Sequence, residues 1–482
     1  MTILDAHDPA SFRAAGHRLV DGLADYLETA ASRQGPVLPP TSPDDLLAEA
    51  PSGLAGEPQG DLVDELLEVV RRSNHLHHPG FVGHQISVPL PGGALVEMAL
   101  ALLNNGMAIY EMGPLHAVLE RHVVRFLADR LGFPAEADGV LTHGGSLGNL
   151  TALLAARQAR SEHDVWTEGQ SMPLAVLVSE QAHYSIRRSV QCMGWGAEGA
   201  VPVATDDRFR LRPDALPAAL DQARRAGRHV VAVVASSCST ATGSFDPLPA
   251  IADFCESEGL WLHVDGAHGA SLALSRRHRD RLDGIDRADS VTWDLHKMMG
   301  LPALSTAVLY RDGRRAREAF AQEASYLFDR EAPGGDWFDI GPRTFECTKR
   351  GMGVTAYLLL RTLGTEAFGE QVDRLLDRAR ELAELLDAQD DFEIATEPEA
   401  NILCFRHLAA DVADLDDHQD RIRSEVLSGA EFYLVRTELL GKTWLRTTLM
   451  NPMTTRDDLL RLVAEIRRAS QRAALPSASA DD

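Results

Sequence analysis

The chain has 482 residues, 71 acidic against 47 basic side chains and a formal charge of −24, an acidity that opposes non-specific binding to nucleic acid or to an anionic membrane. Its length exceeds one ordinary core and predicts a large domain with one or two smaller attachments. The five cysteines (Cys192, Cys238, Cys255, Cys347, Cys404) are scattered and lack CxxC spacing, which indicates neither a disulfide framework nor a thiolate metal site.

The N-terminus has no basic start before an apolar run, and no apolar stretch approaches the length of a membrane span, so a soluble, cytoplasmic protein is expected. Residues 10–32 show helical spacing, with Phe12, Leu19, Leu23, Tyr26 and Leu27 on one side. The proline-rich "GPVLPPTSPDD" reads as an extended connector, and "LVDELLEVVRRS" as a second helix. From Gly139 to about Asp312 the texture changes. The runs "GVLTHGG", "LAVLVSE", "HVVAVVASS", "LWLHVDGAH", "SVTWDLHK" and "STAVLYRD" have the length of buried strands and alternate with helical segments. That is the pattern of a mainly parallel sheet covered on both faces, an α/β domain. After Thr344 helices dominate, and "FEIATEPEANILCFRH" and "KTWLRTTLMNP" read as strands beside a terminal helix, a small α+β domain. The predicted boundaries are 1–95 for the N-terminal helical segment, 96–345 for the large domain, 346–470 for the small domain, and 471–482 for a disordered tail.

Ligand chemistry in such a sheet gathers at the carboxyl ends of the parallel strands. The first run delivers "THGGSLGN" ahead of a helix, where Gly145 and Ser146 with free helix N–H groups form an anion cradle. The second places His183 just past a strand, the third Ser239 and Thr240, the fourth Asp265 with His268 after it, and the fifth His296 and Lys297. Singly, each has an ordinary structural reading: a glycine turn, a capping histidine, a hydroxyl-rich turn, a capping aspartate. Together they meet the four needs of pyridoxal phosphate, namely hydroxyls and a helix start for phosphate, a flat partner for the ring, a carboxylate for the pyridine nitrogen and an amine for the aldehyde. The histidines of "HLHH" (75–78) with His84 suit no common zinc spacing, so no metal is expected.

Through "HPGF", "YEMGP", "GGSLGN", "AHYS", "FDP", "WLHVDGAHG", "ADSVTWDLHKMMG" and "LRTTLMNP", from about Gly35 to Arg467, the chain resembles the group II pyridoxal-phosphate decarboxylases. These act on aromatic amino acids, glutamate, cysteine sulfinate and 2,4-diaminobutyrate. The resemblance implies fold type I, the pyridoxal-phosphate-dependent transferase fold. It also implies a homodimer with active sites between subunits and an N-terminal segment wrapping the partner. Residue by residue it implies Lys297 as the covalent anchor of the cofactor, Asp265 at the pyridine nitrogen, His183 stacked on the ring, and Gly145 and Ser146 at the phosphate. Thr240, Ala267 and His296 also match cofactor-binding positions. Asp294 stands where some members have a phosphate-binding asparagine, and an anionic side chain there repels phosphate unless it points away or receives protein hydrogen bonds.

On the substrate side, His84 falls where aromatic decarboxylases carry tyrosine and glutamate decarboxylases glutamine. Arg446 has two readings, pairing with a substrate carboxylate or with a protein carboxylate. The family's catalytic loop carries a tyrosine that protonates the carbanion, and the register upstream of "ECTKR" places Phe338 there, with Tyr326 as a substitute outside the motif. The expected activity is therefore decarboxylation of an L-amino acid to an amine. The alternatives are oxidative decarboxylation to an aldehyde, as in members with phenylalanine at the loop position, and a catalytically silent scaffold, which has no chemical need for Lys297, Asp265 and His183 together.

Overall fold

The computed structural model describes all residues except 1–2, 40, 51–55, 58, 321–337, 411 and 475–482. The expected strands form, because short apolar runs rich in Val and Leu bury both faces at once. They are β1 (Asp138–Thr142), β2 (Leu174–Ser179), β3 (Ala200–Val203), β4 (His229–Ser236), β5 (Trp261–Asp265), β6 (Ser290–Asp294) and β7 (Thr306–Tyr310). They pair in the order β1-β7-β6-β5-β4-β2-β3. Strands β2 to β6 are parallel, whereas β7 runs antiparallel to both β1 and β6, so β1 keeps the direction of the parallel set. The sheet is mainly parallel, as the runs predict. Strand β3, absent from that prediction, is the short edge strand "AVPV", and Pro202 removes one of its N–H donors.

The other edge is β1, whose outward backbone groups have no strand beside them among the described residues. Side chains take that place. Leu141 N donates to Glu120 Oε1 at 3.0 Å, Lys349 Nζ donates to Leu141 O, and Arg343 Nη2 donates to Gly139 O at 3.1 Å. Lys349 and Glu120 are themselves paired at 2.5 Å with side chains 0% and 2% exposed.

The chain divides into two compact units. One comprises Gln85–Asp377 with Pro398–Ile402 and holds the large sheet; the other comprises Met1–His84, Arg378–Glu397 and Leu403–Asp482. The first therefore runs on past residue 345 to include the helix Met352–Leu363, which Thr355 ties to Glu97 through a 2.7 Å hydrogen bond. In the second unit, the helix Pro9–Ala31 is capped by Asp8, which accepts from Ser11 N at 2.8 Å. Leu19, Leu23, Tyr26 and Leu27 are half-buried, whereas Phe12 is exposed. The proline-rich connector is shorter than expected, because Ser42 caps a helix at Pro43–Glu49. Strands β8 (Phe392–Ile394), β9 (Ile402–His407), β10 (Val435–Leu439) and β11 (Lys442–Thr448) form a second sheet in the order β10-β11-β9-β8. Leu403, Phe405 and Leu445 from this sheet bury against Ile422, Leu459 and Ile466 of the helices Leu415–Ser428 and Arg456–Ala474. That last helix occupies 471–474, where a disordered tail was expected, and 475–482 lie outside the described residues.

Candidate active site

The carboxyl ends of β1, β2, β4, β5 and β6 share one edge of the large sheet, and the residues that follow them surround a cavity of about 210 Å³. Gly145, Ser146, His183, Thr240, Asp265, Ala267 and Lys297 all line it. The helix Gly145–Arg160 starts there with no capping side chain, leaving its first N–H groups for a ligand. Gly144 holds φ at 91°, which a residue with a Cβ adopts only under strain. A Cβ on Gly145 would stand 3.0 Å from Asp294 Oδ2, so glycine is what lets the helix start approach β6 so closely.

Lys297 follows the end of β6, and its Nζ lies 3.1 Å from Asp294 Oδ2. Asp294 also lines the cavity and is 2% exposed. Its carboxylate receives protein donors: Thr306 Oγ1 donates to Oδ1 at 2.6 Å, while Oδ2 faces Lys297. The sequence concern over an anion at this point is thus answered by partners rather than by distance. The ring of His296 is held at Nδ1 by the Ser305 backbone at 2.9 Å, and its Nε2 lies 3.8 Å from Asp294 Oδ2.

Asp265 ends β5, where its carboxylate accepts from Asn149 Nδ2 at 2.8 Å and from the Ala267 N–H at 3.2 Å. His183 is the N-cap of the helix Tyr184–Cys192, its Nδ1 accepting from Ser185 N, so it serves as the capping residue and lines the cavity as well. Burial lowers its pKa from the usual histidine value, with the charge of Asp265 opposing.

Asn149, Ser236, Cys238, Ser239 and His268 also line the cavity. Behind it, His263 of β5 bridges Asn149 to Ser290 of β6. Asn149 and His263 stood inside the quoted motifs "GGSLGN" and "WLHVDGAHG"; the signal that they matter is a buried polar residue in an apolar run. Cys238 takes φ of 76°, which no sequence feature announced.

Phe338 does not line the cavity among the described residues: its ring packs edge-on against Tyr110 with centroids 5.4 Å apart, and Asp339 accepts from Tyr110 N at 2.8 Å. Tyr326 lies outside the described residues. His84 and Arg446 belong to the other unit. There His84 tilts against Tyr433 with centroids 5.6 Å apart, and burial followed by the charges of Arg446 and Arg423 lowers its pKa. Arg446 is buried on β11.

These donors fit pyridoxal phosphate: a helix start cleared by glycine and supplied with the Ser146 hydroxyl, a carboxylate, an imidazole and a lysine amine face one cavity. Known proteins agree. The family model for the pyridoxal-dependent decarboxylase conserved domain matches residues 61–408. The acidic amino acid decarboxylase GADL1 of Bos taurus is 31% identical over 427 residues, covering 86% of this chain and 81% of that protein. The cysteine sulfinic acid decarboxylase of Homo sapiens is 33% identical over 353 residues, covering 73% of this chain and 71% of that protein. The crystal structure of mouse CSAD superimposes with a TM-score of 0.89 at 27% identity, covering 96% of this chain and 99% of that one.

Proposed function

The chain belongs to the pyridoxal-dependent decarboxylase family, and on that premise we propose how its residues divide the work of removing carbon dioxide from an L-amino acid. The protein is a carboxy-lyase whose cofactor is pyridoxal phosphate. When bound, the cofactor supplies an electron-poor ring that accepts the electron pair left by the departing carboxylate.

Lys297 would anchor the cofactor covalently, and Asp294, 3.1 Å from its Nζ, would hold the amine when it is free. Asp265, braced by two donors so that it cannot turn away, would hold its charge at the ring nitrogen. His183 would stack on the ring, and Gly145, Ser146 and the helix start would take the phosphate, with Thr240 and Ala267 completing the wall of the cavity.

The working unit is a homodimer in the cytoplasm, with segment 1–95 wrapping the second copy. What supports the dimer is the helix Pro91–Leu103, whose Leu95, Leu102 and Leu103 are 57%, 70% and 59% exposed, an apolar surface that water disfavours.

The observation that carries this reading is the pair Asp265 and Lys297, delivered by adjacent strands β5 and β6 into one cavity beside a helix start. Borohydride reduction of the holoenzyme should fix the cofactor to the peptide containing Lys297, and Lys297→Ala should abolish both linkage and turnover. Labelling of another lysine would overturn it. The substrate follows from a carbon dioxide release screen, begun with acidic amino acids and cysteine sulfinate, for which the relatives are named, and with ornithine and diaminobutyrate as the cationic arm.

A further inference from the structure

Beside the cavity, polar side chains from four elements, two helices and strands β5 and β6, form one connected set. Three of its members have a single hydrogen-bonding role: the Trp261 indole N–H and the Ser185 backbone N–H only donate, and the ionised Asp265 carboxylate only accepts. With the His263 ring neutral, the direction of every bond between them follows from these fixed ends.

Asn149 approaches Asp265 Oδ2 at 2.8 Å and so must present its amide nitrogen. Its Oδ1 then faces His263 Nε2 at 3.0 Å, which must carry the ring proton. The bare Nδ1 of His263 accepts, at 2.9 Å, from the Ser290 hydroxyl, whose oxygen in turn accepts from Trp261 Nε1 at 2.8 Å. A path begun at an obligate acceptor thus ends correctly on an obligate donor.

The second amide hydrogen of Asn149 goes to Ser185 Oγ at 3.2 Å. The Ser185 hydroxyl then donates to His183 Nδ1 at 2.8 Å, the same nitrogen to which the Ser185 backbone N–H points at 3.3 Å. His183 therefore carries its proton on Nε2. Turning the Asn149 amide over would set two acceptors against each other at Asp265 and break both branches.

Asn149, Ser185, His263 and Ser290 are each 0–1% exposed, so no water competes for these bonds. Burial pushes His263 down to about 4, with Asp265 and a hydrogen bond to the Ser290 backbone opposing, which keeps its ring neutral at neutral pH.

We propose that Asn149 is the positioning residue of the site: one amide that orients the Asp265 carboxylate and, through Ser185, fixes which nitrogen of His183 holds the proton, anchored from β5 and β6 by His263, Ser290 and Trp261. This rests on the roles given above to Asp265 and His183.

The first test needs no substitution in the protein measured. In full-length protein labelled with ¹⁵N-histidine, long-range ¹H–¹⁵N correlations at neutral pH should show His183 and His263 both neutral with the proton on Nε2, the signals being assigned from His183→Gln and His263→Gln. A proton on Nδ1 of either ring, or a charged ring, overturns the proposal. Because this reads the protein without cofactor, its failure leaves the Lys297 linkage assignment standing, and failure of that linkage leaves the proton positions standing.

The second test uses Asn149→Asp, which sets two carboxylates face to face. Its affinity for pyridoxal phosphate should fall tenfold or more below wild type at pH 8, and the deficit should shrink as pH falls, because one proton shared between the carboxylates restores a donor toward Asp265. Wild-type affinity, or a deficit that stays constant with pH as a purely structural role requires, overturns the proposal.

Discussion

Replacing Lys349 by methionine should be among the most damaging single changes outside the cavity. The substitution keeps most of the side-chain volume but deletes an ammonium that is fully buried, 2.5 Å from Glu120 Oε1 and bonded to Leu141 O. Glu120 would be left buried without its cation, and among the described residues Glu120 Oε2 already has no hydrogen-bond partner. Breaking a buried pair from one side costs about 3–5 kcal/mol. For a cooperative unit of roughly 300 residues that is a fall of about 5–8 °C in melting temperature. Function should suffer too, since Leu141 lies on β1 just ahead of His143, Gly144 and Gly145, and slack there reaches the phosphate cradle. Differential scanning calorimetry with and without pyridoxal phosphate measures both effects. The double variant Lys349→Met/Glu120→Gln removes the stranded charge while keeping an acceptor for Leu141 N, so it should recover at least half of the loss. A single variant melting within about 1 °C of wild type, or a double variant no better than the single, would refute this account.

Asp265→Asn removes the charge that the proposed function assigns to the ring nitrogen, and because the carboxylate accepts on both oxygens, from Asn149 and from the Ala267 N–H, an amide can satisfy only one of them. The expected result is a fall of on the order of a hundredfold in kcat, about 2.7 kcal/mol, with cofactor still bound; steady-state rates near wild type would remove Asp265 from its role. His263, pushed down to about 4 by burial, takes up its proton in the unfolded chain first, so its contribution to stability is present above pH 6.5 and is lost as pH falls toward 4, by about 3 kcal/mol in full. Asp246, raised to about 6 by burial, has the opposite sign between pH 3.8 and 6, so the informative quantity is the difference between denaturant curves of wild type and His263→Gln, which should narrow with acidification. Oxygen uptake per carbon dioxide released separates amine from aldehyde: the amine reading expects a ratio near zero, unchanged in Phe338→Tyr. A ratio near one, lowered by Phe338→Tyr, would establish the oxidative reaction instead.

Sequence alone gave access to those parts of the molecule whose cause is local. The run "HVVAVVAS" of β4 can bury two faces only as an inner strand, and the ends of β1, β2, β4, β5 and β6 could be read together because the sheet rule says they converge. Strand β3 was hidden because four residues with a proline carry little periodic signal, and β10 because Arg436, Thr437 and Glu438 make it mostly polar. Its turn into β11 relies on positive φ at Leu440 and Gly441, of which only the glycine is a sequence cue. In the site, Lys297 and Asp265 were legible as charges at the ends of apolar strands. Asn149 and His263 were not, since what gives them meaning is a set of bonds joining a helix to two strands. The turning of His296 toward Ser305 was likewise invisible, because a residue next to a reactive lysine gives no hint of which way its ring points.

The two edges of the large sheet bear on how copies of this protein can meet. An unprotected edge strand is a template on which another chain can add, and such additions propagate without limit, since each new strand exposes another edge. Here one edge ends on the proline-interrupted β3, and at the other Glu120, Lys349 and Arg343 already occupy the outward groups of β1. Growth strand by strand is thereby discouraged at both ends. In the dimer proposed above, association would fall to a helical surface such as Pro91–Leu103, where a two-fold pairing covers the same patch on both copies and stops. The ion pair buried against β1 thus also bears on colloidal behaviour: loss of Lys349 would reopen a strand edge as well as loosen a fold, so aggregates of that variant should carry β-sheet character that heat-denatured wild type reaches only after unfolding.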